Sequence, residues 1–343
     1  MLYCNWISGP FVTAGFSIGV GSLLGWFAWR RIKDSSYPRT WEEVGEVSEI
    51  LIYPLKSARA VRKKSAQAST CGFSCGYLED RSFMVVTEKG AFITSRQAGT
   101  LATVVTQVEG SRLTLKAKGV DDLVVDIEND PDNKTVYEAR LRGIPVAGVD
   151  CGDRAAQWLT EVLYRGETRV RLLYKGSHSR QVTSPKYFDF RNFCSRDRVY
   201  YADEGSYMVS SQSSLNDLNS RLEEPVTIEN FRPNIVVRKS SPYDEDDWIY
   251  VKIGQVVLRR LKPCERCILV TVDPVTGERH PNMEPLTTLR KYRLLQDPPE
   301  LAKRWARSPI FGVTMSIDKT GPIATGDKVY VARASRYSHL RGF

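Results

Sequence analysis

The chain has 343 residues, 42% hydrophobic and 26% charged, which excludes a disordered or fibrous composition and leaves room for two ordinary domains beyond a targeting segment. A formal charge of +9 favours an anionic ligand, an acidic partner or an anionic membrane surface, but the basic residues are scattered rather than striped, which argues against nucleic-acid recognition. Seven cysteines, an odd number at irregular spacing, exclude a small secreted disulfide framework and read as thiols of a reducing compartment.

Phe11 to Trp29 carries no charge, and about 19 residues at roughly 1.5 Å each approach the thickness of a bilayer core. This predicts a transmembrane helix. Arg30, Arg31 and Lys33 follow it, so the positive-inside rule places the rest of the chain on the cytosolic side. A cleaved signal is disfavoured, because the basic residues follow the apolar run instead of preceding it. Residues 1–36 are thus expected to form an anchor and linker.

From Val47 short β-type runs recur, each closed by turn residues: VSEILIY, RSFMVVT with a turn before AFIT, RLTLKA and DLVVDI. Asp153 is expected to cap a helix with Ala156, Leu159, Val162 and Leu163 on one face. Residues 44–175 read as one β subdomain. The stretch Gly176 to Arg198 has no clear period and reads as a long loop between halves. In residues 176–335 a helix is predicted from about Ser213 to Leu222, stripe Leu215, Leu218, Leu222. Around it fall the strands NFRPNIVV, WIYVKIGQVVLRRL (turning near Gly254), CILVTVD, SPIFGVTMSI and KVYVA, and a second helix, EPLTTLRKY. Residues 336–343 form a tail. The expected class is mainly β (α+β), two β-barrel-type halves with a few packed helices.

Cys264 and Cys267 form a C-x-x-C, open to a zinc half-site, a redox pair, a single thiolate ligand beside a bystander, or two buried thiols. The following Ile268 to Val272 asks for a strand, whereas a thioredoxin-type pair opens a helix. Cys71-x3-Cys75 is the other cysteine cluster, and its role stays open. His178, His280 and His339 are far apart and support neither a histidine metal site nor a Ser-His pair.

The run KPCERCILVTVDPVTG resembles the signature of the MOSC family, whose second cysteine binds molybdenum. An ordered set of segments agrees: IYPLKS, EDRSFMV, TSRQ, DCGDRAAQWL, YAD, NDLNSRLE, NFRPNI and SPIFG. With the N-terminal span, the chain is similar to the amidoxime-reducing branch, which has a MOSC N-terminal barrel and a MOSC domain.

The resemblance implies a molybdenum cofactor held through Cys267, with Lys56, Ser57, Arg81, Arg232, Asn234 and Arg266 matching the family's cofactor contacts. Asp203 matches its aspartate near the metal, as a proton-donating acid or as an acceptor that orders the loop. It further implies reduction of N-hydroxylated compounds by oxygen-atom transfer, electrons from cytochrome b5 and its NADH-dependent reductase, and the outer mitochondrial membrane. The chain departs from the family at Glu204, Gly205 and Glu265, where small hydroxyl residues are usual, which puts pocket geometry and substrate range in doubt. A rival reading is a module that carries cofactor or sulfur on Cys267 without turnover.

Overall fold

The computed structural model describes residues 37–38, 40–128, 135–186, 190 and 192–333. The predicted span Phe11–Trp29 and the 336–343 tail lie outside the described residues. Among the described residues no helix is long and apolar enough to cross a membrane.

Seven strands close a barrel in the order Glu42–Ile52, Ile235–Arg238, Tyr207–Ser211, Ile310–Lys319, Val256–Glu265, Trp248–Ile253 and Lys328–Arg333, which returns to the first. All neighbours are antiparallel except Tyr207–Ser211 beside Ile235–Arg238, which is parallel. Alternate side chains fill the interior: Tyr207 and Val209, Ile235 and Val237, Val313 and Met315, Val329 and Val331. Several of the residues between them are apolar too, because Met208, Val236 and Phe311 pack outward against helices Gln212–Asn219 and Leu286–Tyr292. That second layer explains why these strands read as continuous hydrophobic runs.

A four-stranded sheet runs Val136–Leu141, Ile144–Asp150, Val170–Tyr174, Phe83–Thr87 and is packed by helix Gly152–Tyr164. The helix exists as predicted, but its cap does not. Asp150 accepts from the Gly152 amide at 3.1 Å, while Asp153 sits in the first turn and pairs with Arg171. Its buried face is Gly152, Ala155, Leu159 and Leu163, with Ala156 and Val162 only half-buried.

Two further expectations are corrected. The Gly176 to Arg198 stretch is not one loop, since Arg180–Gln181 pairs with Arg198–Val199. CILVTVD is not a strand: Ile268–Thr271 forms a 3-10 turn. The Val256–Glu265 strand stops at the Arg266 amide, which donates to Pro309 at 2.8 Å. Asn230 then takes the Val270 carbonyl at 3.1 Å, and Ile268 and Val270 pack among Phe231, Leu286 and Leu289. Packing overrides the β-branched preference here.

The two halves interleave. Glu42–Ile52, the first strand of the chain, closes a barrel otherwise built after residue 200, and Gly321–Ala324 pairs back with Ser65–Ser69.

Candidate functional site

Past the end of the first strand lies a cavity of about 410 Å³, lined by Lys56 and Ser57 on one stretch and by the Cys267 turn on another. All eight residues singled out from the sequence line it: Lys56, Ser57, Arg81, Asp203, Arg232, Asn234, Arg266 and Cys267. They come from five separated stretches of chain, gathered because the first strand closes the barrel of the second half. Among the described residues eight non-glycine positions have left-handed backbone, and four of them, Ser57, Arg81, Arg142 and Arg232, line this cavity. Each costs on the order of 1–2 kcal/mol in an unconstrained chain, so their clustering marks a site that the fold holds in place.

The cationic side is organised around Tyr53, whose ring lies 4.5 Å from the Arg81 guanidinium and 4.2 Å from that of Arg232. Arg81 pairs with Asp80 and donates to Asn234 Oδ1 at 3.1 Å. Arg232 donates to the Ala58 carbonyl at 2.7 Å. Burial lowers the Arg232 pKa to about 10, against the pull of nearby Tyr53. Arg266 donates to the Phe231 carbonyl at 2.6 Å and to Cys264 Sγ at 2.8 Å. This assigns Cys264 as an acceptor that orients Arg266. Asn234 lines the cavity while its side-chain amide bonds Leu51, Asp80, Arg81 and Met208, which braces the wall. Arg232 Nη2 and Arg266 Nε are buried without a hydrogen-bond partner among the described residues. Buried donors of this kind need an acceptor, and a phosphate or polar ring supplies one.

Cys267 is exposed and caps the 3-10 turn. Lys56 Nζ lies 2.6 Å from Asp203 Oδ1 and donates to the Tyr201 carbonyl at 2.9 Å. Burial brings Lys56 down to about 8, against the raising effect of Asp203. Burial would raise Asp203, but Lys56 and Arg142 outweigh it and hold the carboxyl well below its usual range. Asp203 accepts from Lys56 on one oxygen and from Arg142 on the other at 2.9 Å.

The departures Glu204 and Glu265 converge on one ammonium. Lys262 Nζ lies 2.6 Å from Glu204 Oε2 and also contacts Glu265 Oε2, with none of its side chain exposed. Burial would lower Lys262, but the two carboxylates hold it above the ordinary lysine value. Burial pushes Glu265 up, against the pull of Lys262. Gly205 is required by packing: a Cβ there would stand 2.5 Å from Thr314 Cγ2 and 2.9 Å from the Met315 carbonyl. A side chain at 205 would need Thr314 or the Met315 backbone to shift, and Glu204 and Glu265 are held by Lys262.

Sequence reasoning missed Lys262 and Arg142. Lys262 closes the mixed run QVVLRRLK, where nothing local sets it apart from Arg259 and Arg260, which are buried too. Nothing local marks Arg142, which reaches Asp203 Oδ2 at 2.9 Å across 61 residues.

The MOSC N-terminal beta barrel domain matches residues 44–166, and the MOSC domain matches residues 196–330. Human mitochondrial amidoxime-reducing component 1 is 38% identical over 320 residues, covering 92% of this chain and 93% of that protein. The rat mitochondrial amidoxime reducing component 2 is 38% identical over 315 residues, covering 92% and 91%. The bovine component 2 is 39% identical over 303 residues, with 88% of each chain covered.

Proposed function

The chain belongs to the MOSC-domain family alongside the amidoxime-reducing components, and from that premise we propose that it is a molybdenum-cofactor-dependent reductase of N-hydroxylated compounds. Amidoximes, N-hydroxyguanidines and hydroxamic acids are the substrate classes. The observation that carries the reading is one cavity in which an exposed thiol meets buried guanidinium donors without partners. That donor set fits a soft metal with an anionic, hydrogen-bonding organic ligand.

When bound, the cofactor supplies the two-electron redox chemistry of the reaction. The chain's residues do the rest. Cys267 holds the metal as a thiolate, while Arg81, Arg232 and Arg266, with Ser57, hold the phosphate-bearing ligand. Asn234 fixes Arg81. Lys56, at about 8, is the cavity group poised to give a proton near neutral pH, and Asp203 orients it. Electrons are supplied by cytochrome b5 and its NADH-dependent reductase. Residues 44–175 and 176–335 act as the two family domains. Phe11–Trp29 anchors the chain in the outer mitochondrial membrane with the site toward the cytosol.

The test is NADH-driven reduction of an amidoxime by the loaded chain with cytochrome b5 and the reductase. Turnover is expected to fall as pH rises through about 8, where Lys56 loses its proton. No turnover by protein carrying molybdenum and pterin would overturn the reading. A persulfide on Cys267 without metal would favour a sulfur-carrying module instead.

A further inference from the structure

We propose that Arg142 selects, among N-hydroxylated compounds, those that also carry a carboxylate. The proposal rests on the reductase reading and adds a substrate class to it. Arg142 and Gly143, with φ of 52° and 82°, form the two-residue turn of the hairpin that joins Val136–Leu141 to Ile144–Asp150. The hairpin is anchored at its base, where Asp150 both caps helix Gly152–Tyr164 and pairs with Arg171. Its tip places the guanidinium at the cavity that Cys267 also lines, close enough to feel the charges of Asp203 and Glu204.

The other cavity cations named above are committed and mostly buried: Lys56 to Tyr201 and Asp203, Arg81 to Asp80, Arg232 to Ala58, Arg266 to Phe231. The carboxylates that would repel an anionic substrate, Glu204 and Glu265, are drawn onto Lys262. Arg142 differs. Its side chain is 45% exposed, and Asp203, 32% exposed, is its one hydrogen-bond partner among the described residues. Both partners are partly open to solvent, so a second carboxylate can reach the guanidinium and compete for it. Asp203 is not stranded by the exchange, because Lys56 stays on its other oxygen at 2.6 Å. A guanidinium fork freed this way matches a carboxylate bidentately.

The experiment uses the cofactor-loaded chain and a matched pair, benzamidoxime and 4-carboxybenzamidoxime, in wild type, Arg142→Gln and Arg142→Lys. The ratio of kcat/KM for the carboxylated over the plain substrate is expected to favour the carboxylate about tenfold in wild type. It should fall toward unity in Arg142→Gln, recover in part in Arg142→Lys, and shrink with added salt. Calorimetry with the two reduced products, benzamidine and 4-carboxybenzamidine, reads the same preference without turnover. A wild-type ratio near one, or a ratio that Arg142→Gln leaves intact, overturns the proposal. If neither substrate turns over, the reductase reading fails and the calorimetric preference still decides whether Arg142 binds carboxylates.

Discussion

Lys262 is the residue on which the local chemistry turns. A fully buried ammonium between Glu204 and Glu265 ties the Asp203 loop to the strand that delivers Cys267. Removing it by Lys262→Met leaves two partly buried carboxylates facing one another, and breaking such a group costs roughly 3–5 kcal/mol. Urea denaturation should show a loss of that order, largely restored in the triple variant Lys262→Met, Glu204→Gln, Glu265→Gln. A triple variant as unstable as the single one would mean that Lys262 contributes packing, not charge. At this scale the sequence was informative wherever a motif carried a residue whole, as KPCERC carried Cys267 and Arg266. It was silent on distant partners: Glu265 lies three residues from Lys262, but that Glu204, 58 residues away, reaches the same ammonium depends on the closed barrel.

Among the elements, helix Gln212–Asn219 shows how a buried acid serves structure. Ser211 caps the helix by accepting from the Ser214 amide, and Glu245 reaches in from a neighbouring turn to accept from Ser214 Oγ at 2.9 Å and Ser211 Oγ at 3.0 Å. Burial pushes Glu245 from 4.5 up to about 7. A carboxyl whose pKa is higher in the folded state stabilises that state below its unfolded value, and the contribution drains away as pH rises through the folded one. Stability should therefore decline between about pH 4.5 and 7, and Glu245→Gln should remove most of that decline in thermal melts. An unchanged profile would show that Glu245 stays charged. The helix itself was legible from Leu215 and Leu218, since a 3.6-residue stripe is a local signal. The turn after Cys267 was not, because its β-branched residues are set by Asn230 and the Leu286 helix, which lie far off in sequence.

For the whole molecule, the interleaving of the halves matters most. Strand periodicity showed a β-rich chain, but it cannot show that Glu42–Ile52 completes the barrel of the later half through pairs with both Ile235–Arg238 and Lys328–Arg333. Residues 176–335 expressed alone lack that strand and leave two barrel edges open, so they should aggregate or remain unfolded by circular dichroism and NMR. A cooperative melt from that fragment would show that the first strand is dispensable. The same interleaving assembles the site, because Lys56 and Ser57 follow closely on that strand while Cys267 follows the Val256–Glu265 strand of the later half.

The most direct test of the account is molybdenum and released pterin per chain, measured in protein from a host that makes the cofactor, beside Cys267→Ala. The account predicts near-stoichiometric metal in the wild type, a sharp fall in the variant, and pterin largely kept through the arginine wall. Wild-type protein with neither molybdenum nor pterin, from a host that loads a control enzyme, would contradict it.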